Sequence, residues 1–283
     1  MLNEMLPEKW TANSNDGVRS LPSTIGGINR LPVEVKRGIY QCLLPPRLLK
    51  RFQIPATLMD EQGNDLFVIN GSAGNPTVEI TLYHRYGAQD PVLYGQFADT
   101  LNGQLHILYY AVNDPDSPRF DVDRMPDGKP TRMGTLRNLE AENAAMQAGL
   151  APAQIRRGLR MLSDCFMTFE VFVQRLGHSL FFAEPLHYHN AVIFEWHGLA
   201  YEQGYKLMDR IQKGFAPKGD LLLRLDSTTP FRRPEAANSL RLRSWAIYDG
   251  ILEEPFKNVS MYKVIGKHAG INTSATQETN LVW

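Results

Sequence analysis

Three arginines flank a glycine in Gln154-Ile155-Arg156-Arg157-Gly158-Leu159-Arg160, where a long amphipathic pattern begins. Helix N-termini present unpaired backbone N–H groups at the positive end of the dipole, so a helix starting here would attract an anion. Arginine adds a planar fork of donors, which makes Arg156, Arg157 and Arg160 candidates for a pyrophosphate or carboxylate clamp. The plain alternative is a solvated first turn whose arginines pair with nearby acids. The densest group of possible ligands is His187, His189 and His197 with Glu195 and Glu202. His-x-His could place two imidazoles on one side of a strand, and zinc takes such nitrogens and carboxylates. Glu195 and His197 would diverge on a helix, however, and no His-Glu-x-x-His spacing occurs, so no metal site is assigned. His187 or His189 as a general base has better support, because the segment follows a strand end, where catalytic groups commonly sit. Hydrogen-bonded surface histidines are the competing account. Cys165 lies on an apolar-rich helix with no base nearby in sequence and reads as a small core residue.

The elements that must position these groups are legible from periodicity. Residues 1–31 are rich in Asn, Ser, Gly and Pro and read as an irregular arm. Val33 to Leu44 reads as a helix stopped by Pro45-Pro46, and Arg47 to Phe52 as a second. A hairpin is expected over 58–70 about Glu61-Gln62-Gly63-Asn64. Strands over 77–86, 91–100 and 104–112 follow, making an antiparallel meander of about four strands. Tyr109 and Tyr110, adjacent in the last of these, should face opposite sides of the sheet. Asn113 to Pro130 is crowded with Asp and Pro and reads as a loop, and Leu136 to Ala148 as an exposed helix or lid. Leu159, Leu162, Phe166, Phe169, Val173 and Leu176 recur at helical steps and predict a helix with one buried face, ended by Gly177. A short strand over 179–183, a helix over 190–197 and a strand over 201–208 complete a domain spanning 32–218. Residues 219–283, with a helix from Pro234 to Leu252, are too few for an independent core and read as an extension on the domain or on a partner subunit.

Composition narrows the classes. Thirty basic residues balance thirty acidic ones, so no overall field favours nucleic acid or a membrane surface. Arg232, Arg233, Arg241 and Arg243 are interspersed with Glu235, Asp249, Glu253 and Glu254, which suits an ion-paired helix better than a nucleic-acid face. Cys42 and Cys165 are far apart, a usage that fits a reducing cytoplasm. No apolar run suggests a signal peptide or a membrane span. The expectation is a soluble, cytoplasmic protein acting on a small molecule, with the terminal arms available for homo-oligomer contacts.

Helices, a meander, then helix, strand, helix and strand make an α/β (α+β) order with a central mixed, mostly antiparallel sheet flanked by helices. In that frame residues 150–208 resemble the second half of the GNAT (N-acyltransferase) superfamily. The likeness rests on Pro152 and Arg157-Gly158-Leu159 at a pyrophosphate-loop position, the long helix to Gly177, the strand after His178, and the run Asn190-Ala191-Val192-Ile193-Phe194-Glu195-Trp196-His197-Gly198-Leu199. The resemblance implies a GNAT-like fold and transfer of an acyl group from acetyl-CoA or another acyl-CoA to an amine. It implies that Arg156, Arg157, Gly158, Leu159 and Arg160 bind phosphate, that Asn190 orients the cofactor arm, and that the strand carrying Tyr110 offers backbone groups to pantetheine. His187 or His189 would be the base. Ile155 and Arg160 depart from the family's loop, and Phe194 stands where many members have a proton-donating tyrosine. These departures favour a second reading, a non-catalytic binding or assembly protein on the same scaffold. A metal-dependent enzyme using the 187–202 cluster is a third.

Overall fold

The computed structural model describes residues 22–132, 135–274 and 283. The protein is mixed α/β, its strands mostly antiparallel, and the chain divides into two compact units. The first comprises the chain to Pro115, Gly158–Ala183 and Lys263–Lys267; the second comprises Asp116–Arg157, Glu184–Tyr262 and His268–Trp283. These boundaries differ from the division at 31/32 and 218/219 expected from sequence, because residues 219–262 share one core with residues 116–157. Of the predicted N-terminal arm, residues 1–21 lie outside the described part. The rest carries α1 (Ile25–Asn29), whose Ile25 and Ile28 are buried and whose first N–H groups, on Ile25 and Gly26, donate to the Asp99 carboxylate at 2.7 and 2.8 Å.

In the first unit, α2 (Val33–Gln41) and α3 (Pro46–Arg51) precede a meander of β1 (Phe67–Asn70), β2 (Thr77–Leu82), β3 (Leu93–Asp99) and β4 (Leu105–Val112). All consecutive pairs are antiparallel. The expected hairpin over 58–70 is reduced to one bridge, Met59↔Asp65, since β1 takes β2 as its partner instead. Alternation decides the faces: Val78, Ile80, Leu82 and Phe97 are buried, while Glu79, Tyr94 and Gln96 are half-buried on the other side. Gly95 is needed on the buried face, because a Cβ there would lie 2.8 Å from the Phe97 ring.

The helix predicted from the apolar repeat is α5 (Leu162–Arg175), and it covers the buried face. Phe169 stacks on Phe97 at 5.3 Å and meets Phe181 of β5 (Leu180–Ala183) edge-on at 4.8 Å. Aromatic packing of this kind carries most of the burial energy of a small core. Phe169→Ala should lower unfolding free energy by about 3–5 kcal/mol in urea titrations.

The second unit contains α4 (Leu139–Gln147), α6 (Tyr188–Trp196), β6 (Ala200–Gln203), α7 (Tyr205–Phe215), α8 (Asp220–Leu223), α9 (Leu240–Tyr248) and the start of β7 (Ser260–Val264), which pairs antiparallel with β6. Two sequence expectations are corrected here. The strand predicted over 201–208 stops at Gln203, because Gly204 turns left-handed at φ +99° and opens α7. The predicted lid α4 is a core helix: its Ala145 and Met146 are buried with Val122, Leu150, Phe231 and Trp245, whose indole donates to the Leu150 carbonyl at 2.8 Å. The weak apolar stripe of α4 is compensated by charge. Arg137 lies over the Tyr248 ring at 4.7 Å and bonds Glu142 at 2.6 Å and Asp249 at 3.1 Å, while Asp249 also takes Arg232 at 3.2 Å. Asp249→Ala removes a carboxylate from two half-buried guanidiniums, while Arg137 keeps Glu142 and Arg232 keeps the backbone carbonyl of residue 249, so a loss of about 1–3 kcal/mol in denaturant unfolding is expected.

Candidate functional site

One irregularity in the first unit produces an open strand edge. The β3–β4 ladder runs from Leu93↔Val112 to Gln96↔Tyr109 and resumes at Phe97↔Ile107, so Leu108 is an extra residue, a β-bulge. On its other side β4 pairs with β5 in parallel only through His106↔Phe182 and Ile107↔Ala183. The bulge therefore falls on the residue after the last β5 pair, and β4 continues from Leu108 to Val112 while β5 has ended. Leu108, Tyr110, Ala111 and Val112 are half-buried and Tyr109 is exposed. An edge of this kind offers backbone N–H and C=O groups to an extended ligand.

At the far end of β4, Asn113 forms a bridge with Gly158. This bridge corrects the position of the predicted anion site. The chain is extended at Gly158, buries Leu159, turns left-handed at Arg160 (φ +56°) and enters α5 only at Leu162. Met161, at the cap, makes no side-chain cap bond, so the helix start lacks one of the usual partners for its N–H groups. Asp164 in the first turn supplies a negative charge there and pairs with Arg47 at 3.3 Å. A Cβ on Gly158 would meet only the Val112 carbonyl, at 3.5 Å, an ordinary contact. Arg156 and Arg157 belong to the second unit, where the Arg156 guanidinium donates to the Ser117 carbonyl and the Arg157 N–H to the Ser117 hydroxyl at 3.1 Å. Arg157 and Arg160 are exposed.

Tyr109 and Tyr110 do face opposite sides. Tyr110 points toward α5, its ring 6.2 Å from Phe97 and its hydroxyl buried beside the Cys165 thiol. Burial pushes the Tyr110 hydroxyl well above its ordinary range and the Cys165 thiol up to about 11, so Cys165 is a protonated core group. Only the backbone of Tyr110 is placed for a ligand at the edge.

His187 and His189 are in the interior of the second unit, which corrects the expectation of hydrogen-bonded surface histidines. His187 caps α6, and its ring stacks on that of His189 at 5.7 Å and meets Tyr248 edge-on at 5.4 Å. His189 Nδ1 is 2.8 Å from the Ser244 hydroxyl, with the Trp283 ring at 6.1 Å. Loss of hydration pushes His187 down to about 4 and His189 well below its ordinary value, the latter with a contribution from His187. Asn190 is half-buried in the first turn of α6. Glu195, fully buried, does not turn to the histidines: it accepts from the Tyr201 hydroxyl, the Thr273 N–H at 2.8 Å and the Thr273 hydroxyl at 2.6 Å. Glu202 accepts from Ser260 at 2.8 Å. The metal reading of the 187–202 cluster therefore loses its carboxylates to tyrosine, threonine and serine. Among the described residues no group of three or more His, Cys, Asp or Glu could hold a metal ion.

Sequence reasoning missed the bulge and the residues beside it on the half-buried face, Glu79, Tyr94 and Gln96. The polar alternation of Thr-Val-Glu-Ile-Thr-Leu over 77–82 was the available signal for Glu79; a bulge has no comparable signature. No protein-family model matches the chain, and no curated protein or solved structure matches it significantly. Among the described residues no helix is long and apolar enough to cross a membrane.

The buried histidines generate a pH test. Their folded pKa values lie below that of an unfolded imidazole near 6.5, so their stabilising contribution is complete above pH 6.5 and is lost as pH falls toward 4. His187 alone should cost roughly 3 kcal/mol across that window, at 1.36 kcal/mol per pKa unit. Urea unfolding between pH 4 and 7 should show this slope, and His187→Gln should reduce it, leaving the part due to His189.

Proposed function

We propose that this protein is a GNAT-like, acyl-CoA-dependent N-acyltransferase that carries an acyl group to an amine. The observation that carries the reading is the coincidence in one strand of a bulge at Leu108 with the end of β5 pairing at Ile107, followed by an uncapped helix start beside the end of that strand. Parallel pairing of β4 with β5, after an antiparallel meander and through the crossover α5, supports the same scaffold.

The donor set fits the chemistry of an acyl-CoA. The open edge from Leu108 to Val112 suits an arm rich in amides, which it would hold by strand-type hydrogen bonds. Gly158 leaves room for a phosphate beside Val112, and the first N–H groups of α5, with the exposed Arg160, would bind it. When bound, acyl-CoA would supply a thioester carbonyl whose carbon takes the amine nitrogen, a new C–N bond replacing C–S, with the proton lost from nitrogen leaving on the free coenzyme thiol. The chain's own part is positioning, together with backbone N–H donation toward the carbonyl oxygen from the bulge. Phe194 has no proton for the departing sulfur. Arg157 has its backbone N–H engaged by Ser117 within the second unit. Cytoplasmic placement, and homo-oligomer contacts through the terminal arms, remain part of the proposal.

Asp164 in the first turn of α5 favours the second reading, a binding or assembly protein on this scaffold, because its charge opposes a phosphate at the same helix start. Calorimetric titration with acetyl-CoA separates the cases. Binding with acyl transfer to a mixed amine panel supports the enzyme, and binding without transfer supports the second reading. No heat and no thermal shift at millimolar ligand would overturn the acetyl-CoA assignment. Gly158→Asp, which has room for its Cβ, should keep the melting temperature and weaken acetyl-CoA at least about tenfold, or 1.4 kcal/mol.

A further inference from the structure

On the half-buried face of the sheet, opposite α5, three strands set Glu79, Gln96 and Tyr109 in one row, since Glu79 pairs with Gln96 and Gln96 with Tyr109. Strand spacing puts the backbones of Glu79 and Tyr109 about 10 Å apart with Gln96 between them. Tyr94, two pairs further along β3, packs edge-on against Tyr109 with ring centroids 5.6 Å apart, and its hydroxyl feels the Glu79 carboxylate. Among the described residues no lysine, arginine or histidine forms an ion pair with Glu79, and the Tyr94 hydroxyl is the group its charge acts on. The carboxylate also pushes the Tyr94 hydroxyl up to about 12, together with burial, which contributes most, so Tyr94 is a neutral donor over the whole working range.

A carboxylate with no cationic partner among the described residues, flanked by two tyrosine rings on a half-buried surface, is matched by a small organic cation. The charge would sit against Glu79, and its alkyl stem or ammonium hydrogens against the ring faces, an arrangement favourable within about 6 Å of a ring centroid. Gln96 adds an amide that can accept from an N–H. Tyr109 is the residue next to the bulged Leu108, so a cation held here adjoins the open segment of β4.

We infer that Glu79, Tyr94, Gln96 and Tyr109 form a subsite for a primary ammonium group, where the acceptor of the proposed transfer docks as the cation and gives one proton to the Glu79 carboxylate to become the free amine that takes the acyl group. This identification of the acceptor rests on the acyltransferase reading; the cation site itself does not. It predicts a substrate class of alkyl or aralkyl amines over neutral alcohols or anionic acceptors.

The test uses n-butylammonium as probe and n-pentanol as its uncharged counterpart, followed by chemical-shift changes in the full chain at pH 7. The cation should saturate at millimolar concentration with shifts centred on β2–β4, and bind at least about fivefold tighter than the alcohol. Glu79→Gln should weaken the cation at least about fivefold and leave the alcohol unchanged. Tyr109→Leu should weaken it, whereas Tyr109→Phe, which keeps the ring, should not. Circular dichroism melting of each variant identifies any loss that comes from unfolding, and Glu79→Gln, a surface substitution of equal size, keeps the test informative if a tyrosine variant fails to fold. Equal affinity for cation and alcohol, or no effect of Glu79→Gln, would overturn the inference. Acetyl-CoA titration of the same variants distinguishes the two ideas: cation binding in a protein that ignores acetyl-CoA retains the site and removes the acyltransferase, while acetyl-CoA binding without cation binding does the reverse.

Discussion

A β-strand that loses a neighbour keeps its row of backbone donors and acceptors, and those groups must find partners in water or in a ligand. In the first unit this constraint is concentrated on β4. The strand pairs with β3 along its length except at the bulge, yet β5 accompanies it only through His106 and Ile107. The bulge at Leu108 adds a residue where that pairing ends, bending the strand and increasing its local twist. The ends of the segment are pinned independently: the Phe97–Phe169–Phe181 cluster holds β3, α5 and β5 on the buried face, and the Asn113–Gly158 bridge holds the chain beyond Val112. An opening bounded by rigid supports can bind without first being ordered, which is how a scaffold lowers the entropic cost of binding.

The second unit relies on buried polar groups whose partners are supplied internally. Asp249 joins Arg137 to Arg232 on the end of α9, and Arg137 also reaches Glu142 on α4. Arg243, almost wholly buried, is satisfied without a carboxylate: Gln212 accepts at 2.8 Å, Ala237 accepts through its carbonyl, and the Phe215 ring lies 4.9 Å away. Glu195 is the mirror case, an acid held by hydroxyls and a backbone N–H. Isolated charges in such positions would be costly, so these networks constrain which packing of the helices is acceptable. The histidine pair belongs to the same interior and is neutral there because water is excluded.

Much of the candidate site was readable only in part. The positions of Tyr109 and Tyr110 on opposite faces follow from strand alternation alone, and the structure keeps them so. The arginine-glycine segment was recognised, but its conformation was not: a bridge to Asn113, forty-five residues earlier in the chain, holds Gly158 extended and moves the helix start to Leu162. The histidines stood out as a chemical cluster in one dimension, whereas their burial depends on Ser244 and Tyr248 of α9. Glu79 has no chemical company among its apolar neighbours in sequence, and gains it only when β3 and β4 place Tyr94 and Tyr109 beside it.

The sequence by itself determined the local elements whose periodicity is set within a few residues: the meander, the buried face of α5, the short strand before Pro185 and the glycine-ended α6. Tertiary structure decided where those elements stop and what their polar residues touch. Gly204 could end a strand or start a helix until Val259 closed on it, with Val259 Cα 2.9 Å from the place a Cβ would occupy. The extension of residues 219–262 became core because Phe231 and Trp245 meet Ala145, Met146 and Leu150, a set assembled from distant stretches of chain. Periodicity is a property of neighbours along the chain, while burial, bulges and ion-pair choice are properties of neighbours in space. The opening beside Leu108 belongs to the second kind, since it exists only through the relation of β4 to β3 and β5.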